Sequence, residues 1–241
     1  MRKQKLVAFL VLFYPFLYAS AQENLVLNGD FEDPFNQDSA YKGRYFHWSF
    51  LEDYAEQAQW AHIYRDSSDI FENTKVLGKG EVVPFSGMSF AGLGVFDPEF
   101  EFRDYLVGTL KTPLIAGTRY KISFAIKPAY CNGFLINSFG SALINSSALP
   151  SLVKRRYTVL KEITPNLQFS LTTQSVDRWL LLEGSFTAKG GEDKIILGCY
   201  SQDKEVKATR LKHSKNCSDA DQTICRSGYY LLDNIKLTAS W

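Results

Sequence analysis

The chain has 241 residues, 27 basic and 26 acidic side chains, and a composition that is 45% hydrophobic and 15% aromatic. That balance argues against a nucleic-acid-binding surface, which needs a concentrated basic excess; the short basic run Lys154-Arg155-Arg156 reads as a solvated loop. The length suits one large β domain with a substantial core.

Residues 1–21 predict a signal peptide. Arg2, Lys3 and Lys5 precede an apolar run from Leu6 to Tyr18, and Ala19-Ser20-Ala21 supplies the small residues a peptidase needs. The run is shorter than the roughly 20 residues of a spanning helix, Pro15 interrupts it, and no later segment is long and apolar enough. The expectation is an exported chain beginning at Gln22, without a membrane span. Loss of the leader removes three basic groups (Arg2, Lys3, Lys5) and no acid, leaving a slightly acidic protein.

The first mature stretch, "NLVLNGDFE" (Asn24 to Glu32), alternates apolar side chains and predicts a strand. Phe31 would enter the core, with Asp30 and Glu32 together on the other face. Asn28-Gly29 permits a tight turn that brings carbonyl oxygens close. Leu51 to Asp66 has some helical character, although its aromatics suit an irregular loop equally well. Tyr41, Tyr45, Trp48, Tyr54, Trp60 and Tyr64 crowd this region. Aromatic rings offer flat apolar faces on which sugar C–H groups stack, so Trp48, Trp60 and Tyr64 are candidate carbohydrate contacts; an all-β core would also consume such residues.

Five strand-like runs follow: "RDYLVGTL" (Arg103 to Leu110), "RYKISFAI" (Arg119 to Ile126), "WLLLEGSFTA" (Trp179 to Ala188), "DKIILGCY" (Asp193 to Tyr200) and "YYLLDNIKL" (Tyr229 to Leu237). Turn signals lie at 115–118, 131–133 and 188–193. Short strands without helices between them predict an all-β sandwich or barrel. Residues 201–228 form a long polar insertion before the last strand, and no domain boundary is needed, so 22–241 reads as one domain.

Four cysteines in an exported chain predict two disulfides. Cys217 and Cys225 enclose a short polar run and pair as a local loop, which leaves Cys131 with Cys199. Zinc is disfavoured because His47, His62 and His213 are scattered.

In "YYLLDNIKL" the alternation places Asp233 in one row with Tyr229, Leu231, Ile235 and Leu237, and Lys236 on the opposite face. A buried carboxylate needs donors or a cation. Asp233 therefore either meets a metal, or the strand bulges, or backbone amides satisfy its oxygens. With Asp30 and Glu32 nearby, hard oxygen ligands would suit calcium.

The stretches "NLVLNGDFE", "PFSGMSFAGL" (residues 84–93) and "YYLLDNIKL" resemble the carbohydrate-binding-module type of galactose-binding-like jelly roll. "FRDYLVGTLKTPLIAGTRYKISFAI" and "WLLLEGSFTAKGGEDKIILG" resemble the exported β-sandwich that precedes OmpA-type domains in Gram-negative outer-membrane proteins. The resemblance implies a two-sheet antiparallel jelly roll with adjacent first and last strands. It also implies one structural calcium held by Asp30, Glu32 and Asp233, with carbonyl oxygens from the loop near Ser86 and Gly87. No nucleophile elbow, zinc-protease motif or phosphate loop occurs, so the expected function is a non-catalytic binding module at the cell envelope. Its partner would be carbohydrate or, alternatively, a protein or other envelope component.

Overall fold

The structure, a computed structural model, describes residues 22–32, 60–62, 68–72, 82–99, 103–149, 152, 159–212 and 225–240. Strands β1 (Trp60–His62), β4 (Tyr105–Thr109), β10 (Lys194–Gly198), β7 (Ser138–Ile144) and β8 (Leu167–Ser170) form one sheet in that order. Strands β2 (Ser68–Glu72), β3 (Ser89–Phe96), β12 (Gly228–Ala239), β5 (Arg119–Pro128) and β9 (Leu180–Thr187) form the second. A short pair, β6 (Phe134–Leu135) with β11 (Thr209–Arg210), anchors part of the polar insertion. All pairings are antiparallel. From β3 to β5 and again from β8 to β10 the chain alternates between the sheets, so the all-β two-sheet antiparallel sandwich expected from the sequence is the observed fold. Among the described residues no helix is long and apolar enough to cross a membrane.

All five expected strands are present as β4, β5, β9, β10 and β12. Their inward side chains make the core: Ile122, Phe124 and Ile126 from β5, Leu232, Ile235 and Leu237 from β12, and Leu106, Ile195, Leu197 and Phe139 from the facing sheet. Phe124 spans the gap, its ring 5.7 Å from Phe139 and 5.4 Å from Phe169. Burial on this scale, at about 25 cal/mol per Å2 of apolar surface, is the main stabilising contribution.

Both sheets are also covered on their outer faces. Tyr105, Val107, Ala142 and Ile196 pack under Leu152 and Leu160, while Phe90, Tyr229 and Leu231 pack under Val82 and the partly exposed Trp179. Strand β3 is consequently buried at every position. Of the helix-flavoured segment 51–66, only Trp60–His62 is described, and it forms an edge strand against β4.

The N-terminal stretch departs from its expected strand. Val26 makes an isolated bridge to Leu110, and Asn28 to Phe31 form a turn in which Asn28 (φ 44°) and Phe31 (φ 60°) are left-handed. Two left-handed residues break the side-chain alternation, so Asp30 and Glu32 share no strand face. Phe31 still enters the core. The segment stitches the sheets together: Lys111 N–H donates to Leu25 O on one side, while Leu25 N–H donates to Leu237 O and Ile235 N–H to Gly29 O on the other. Asn24 reinforces the stitch by donating to Ile235 O and accepting from the N–H groups of Val26 and Leu237.

The disulfide expectation is corrected. Cys199 keeps its thiol inside the sandwich core, whereas Cys131 lies in the cluster outside the second sheet, so a sheet separates them. Cys225 also keeps its thiol, which removes the Cys217–Cys225 pairing; Cys217 itself lies outside the described residues. Cys131 is disulfide-bonded. Burial pushes the pKa of the Cys199 thiol up, the opposite of a reactive cysteine.

A Cβ added at Gly29 would lie 2.1 Å from the Ile235 carbonyl oxygen, a backbone atom that cannot swing aside. Gly29→Ala is therefore expected to destabilise the domain by about 1–3 kcal/mol, read as a lower denaturant midpoint with unchanged m-value.

Candidate functional site

Strand β12 carries the feature that organises the site. Asp233 pairs with Ala125 and Lys236 with Ser123, so Asn234 and Ile235 together oppose a single residue of β5. This is a β-bulge, made possible by Asn234 at φ 52°, a conformation asparagine tolerates better than most residues. The bulge shifts the alternation: Tyr229, Leu231 and Asp233 face outward, whereas Ile235 and Leu237 enter the core. The single apolar row expected from the sequence does not exist, and Lys236 shares the outer face with Asp233.

Asp233 is fully buried. Its carboxylate accepts hydrogen bonds from Ser86 N–H (2.9 Å) and Asn234 N–H (2.5 Å), with a longer contact from the Ser86 hydroxyl (3.5 Å). Glu32 Oε1 accepts from the N–H groups of Met88 (2.7 Å) and Ser89 (2.8 Å). Residues 85–89 are thus held by two carboxylates from opposite ends of the chain. Gly87 (φ 60°) is required between these amides, because a Cβ there would approach Glu32 Oε1 to 2.3 Å.

Burial pushes the Asp233 carboxyl up to about 6, against the amide bonds from Ser86, Asn234 and Phe85, and the Glu32 charge adds to the rise. Of the three carboxylates expected to converge, Glu32 and Asp233 meet on the same loop. Asp30 does not join them; it is exposed and lines an open cleft with Lys111 and Lys236. Among the described residues no three His, Cys, Asp or Glu side chains gather as a metal set.

The loop held by this pair carries an aromatic platform. Trp179 Nε1 donates to Val83 O (2.9 Å), and the indole meets Phe85 and Phe90 edge-on at 6.3 Å each. Lys127 Nζ lies 5.5 Å from the Trp179 ring centre, and burial lowers the affinity of that amine for its proton. Phe85 is 41% exposed, and Val83, two residues before it, and Leu181, two residues after Trp179, also have exposed aliphatic side chains.

Of the aromatic residues expected to contact sugar, Trp48 and Tyr64 lie outside the described residues, and Trp60 is placed only as the first residue of β1. Trp179 and Phe85 were not singled out from sequence. The parity of "WLLLEGS" holds the missing signal: Trp179 and Leu181 alternate in step with Glu183 and Ser185, and that polar company marks their row as the outer one.

Fold and site together define a two-sheet antiparallel β-sandwich whose second sheet carries a carboxylate-held loop and a partly exposed aromatic platform. No family model and no curated protein sequence matches the chain. Solved structures with a similar chain path include a Stig cyclase, Fisc, of Fischerella sp. TAU, at 12% identity over 90% of this chain and 98% of that one, TM-score 0.47. They include the CBM22-1 xylan-binding domain of Paenibacillus barcinonensis Xyn10C, at 9% identity over 76% and 86%, TM-score 0.40. The K1 cleaved adhesin domain of Lys-gingipain from Porphyromonas gingivalis W83 matches at 12% identity over 76% and 92%, TM-score 0.41. Likeness at these identities concerns chain path alone.

The Asp233 environment fixes a pH dependence. Its carboxyl holds a proton more tightly folded than unfolded, so its stabilising contribution is complete below its ordinary 3.8 and is lost as pH rises through about 6. The stability of Asp233→Asn relative to wild type is therefore expected to improve between pH 5 and pH 7 in metal-free buffer, measured by denaturant titration at each pH.

Proposed function

We propose that this protein is an exported, non-catalytic binding module that takes carbohydrate on the Trp179–Phe85 platform. The observation that carries the reading is the Trp179 indole held by the Val83 carbonyl at the surface. An aromatic ring fixed before the ligand arrives loses little entropy on stacking against a sugar face. Lys127, Asp177 and Arg178 lie on or next to the strand ends that bear it and offer polar partners for hydroxyl groups.

A glycan array is expected to show binding to neutral polysaccharide that Trp179→Ala or Phe85→Ala weakens about tenfold or more, of the size measured for stacking groups at binding hot spots. The melting temperature should change little for the exposed Phe85→Ala, whereas Trp179→Ala also uncovers Phe90 and is expected to lower it without unfolding the domain. A blank array would sink the carbohydrate reading. The exposed aliphatic groups Val83 and Leu181 favour a second reading, a protein-interaction surface of the cell envelope, since aliphatic side chains do not stack on sugars. On that reading the same substitutions would abolish capture of an envelope protein while the array stays blank.

A structural calcium ion belongs to the same proposal. Glu32 and Asp233 supply hard oxygens of like charge to one loop, and the ion would offset the repulsion between them. Asp30 is not needed for this. Binding restricted to the folded state stabilises by RT ln(1 + [Ca]/Kd), about 2.7 kcal/mol at a hundredfold excess. Thermal melts in calcium and in chelator are expected to differ by several degrees, and Asp233→Asn to remove the difference. Identical wild-type melts, with metal analysis confirming the chelated sample empty, would leave the amide donors as the whole support of Asp233.

A further inference from the structure

A second concave site lies at the seam closed by the N-terminal segment. The cleft has a volume of about 320 Å3, within the range of small-ligand sites, and shares no residue with the aromatic platform. Its charged lining consists of Lys111, which follows β4 of the first sheet, Lys236 on β12 of the second, and Asp30 from the turn between them. Asn28 and Asn234, both of left-handed backbone, add to the polar rim.

Lys236 is exposed and forms no ion pair among the described residues. Lys111 pairs with Glu23 at 2.8 Å, but the Glu23 side chain is 72% exposed, and an exposed pair of this kind is readily exchanged for a ligand carboxylate. Once Glu23 gives way, two ammonium groups face the single carboxylate of Asp30, a balance that favours an anion. Asp30 disfavours a second negative charge on the unit seated in the cleft and accepts hydrogen bonds, so it selects a unit that also carries hydroxyl donors. The wall formed by residues 24–29 is pre-organised, because the Asn24 side chain fastens it to Ile235 and Leu237 and the Ile235 amide fastens it to Gly29.

We infer that this cleft binds a hydroxylated monocarboxylate of sugar size, the uronic acid unit of an acidic polysaccharide. The lysines would take the carboxylate, and Asp30 with the asparagine amides would take the ring hydroxyls. The site stands independently of the platform and of calcium.

Calorimetric titration of the mature chain with trigalacturonate, alongside galactotriose and inorganic phosphate, tests this. The Trp179→Ala background removes the platform, so failure of the carbohydrate reading there leaves this test intact. Trigalacturonate is expected to bind in that background and galactotriose not to. Lys236→Gln and Lys111→Gln should each weaken binding about five- to tenfold at unchanged melting temperature, the size of one lost charge-assisted contact. Asp30→Asn should weaken trigalacturonate while strengthening phosphate. Absence of trigalacturonate binding, binding indifferent to both lysines, or phosphate competing as well as trigalacturonate would each overturn the inference.

Discussion

One extra residue in β12 sets the arrangement of everything at this end of the sandwich. Where Asn234 and Ile235 oppose a single residue of β5, the strand changes phase. Above the bulge, Leu231 and Asp233 look outward; below it, Ile235 and Leu237 pack in the core and Lys236 looks outward. The Ile235 amide, displaced from the regular ladder, is the group that receives the N-terminal turn at Gly29 O. A regular strand would put either a carboxylate into the core or two aliphatic side chains into water, each costing several kcal/mol.

The outward turn of Asp233 has its own cost, which the loop at 85–89 offsets. A carboxylate removed from water keeps its charge only among donors, and the backbone amides of Phe85, Ser86 and Asn234 supply them. Glu32 does the same two residues further along through Met88 and Ser89. The bonding is reciprocal: the carboxylates fix the loop, and the loop fixes Trp179 through the Val83 carbonyl. Charge, backbone geometry and aromatic orientation are thereby connected in one short path across the second sheet.

The parts of this fold visible in the sequence are those whose side chains announce them. β4, β5, β9, β10 and β12 are dense in β-branched and aromatic residues and stand out without the structure. β3 and β7 do not: Gly92, Gly94, Gly140 and Ser141 dilute their strand character, and burial on both faces leaves no alternation to read. At the N-terminus the alternation is present and misleads, because backbone conformation at Asn28 and Phe31 overrides it. Asp233 was legible as an anomaly, and the bulge and amide donors that resolve it were among the open possibilities. Which of the two carboxylates near the N-terminus would meet it was not, since that depends on a left-handed turn. The Cys131–Cys199 pairing failed for a topological reason, as the sequence does not say on which side of the second sheet each of these sulfurs lies.

The stitch across the seam also determines how the domain bears force. Residues 25–29 run antiparallel to 235–237, with Leu25 opposite Leu237 and Gly29 opposite Ile235, so the points at which the chain enters and leaves the sandwich are side by side. Tension applied between them loads the hydrogen bonds one after another, as in opening a zipper, and never in parallel as in shear. A pull on the N-terminal segment is first felt at the seam, whereas the end of β12 passes load directly to β5 through Leu237 opposite Ile122 and Ala239 opposite Tyr120.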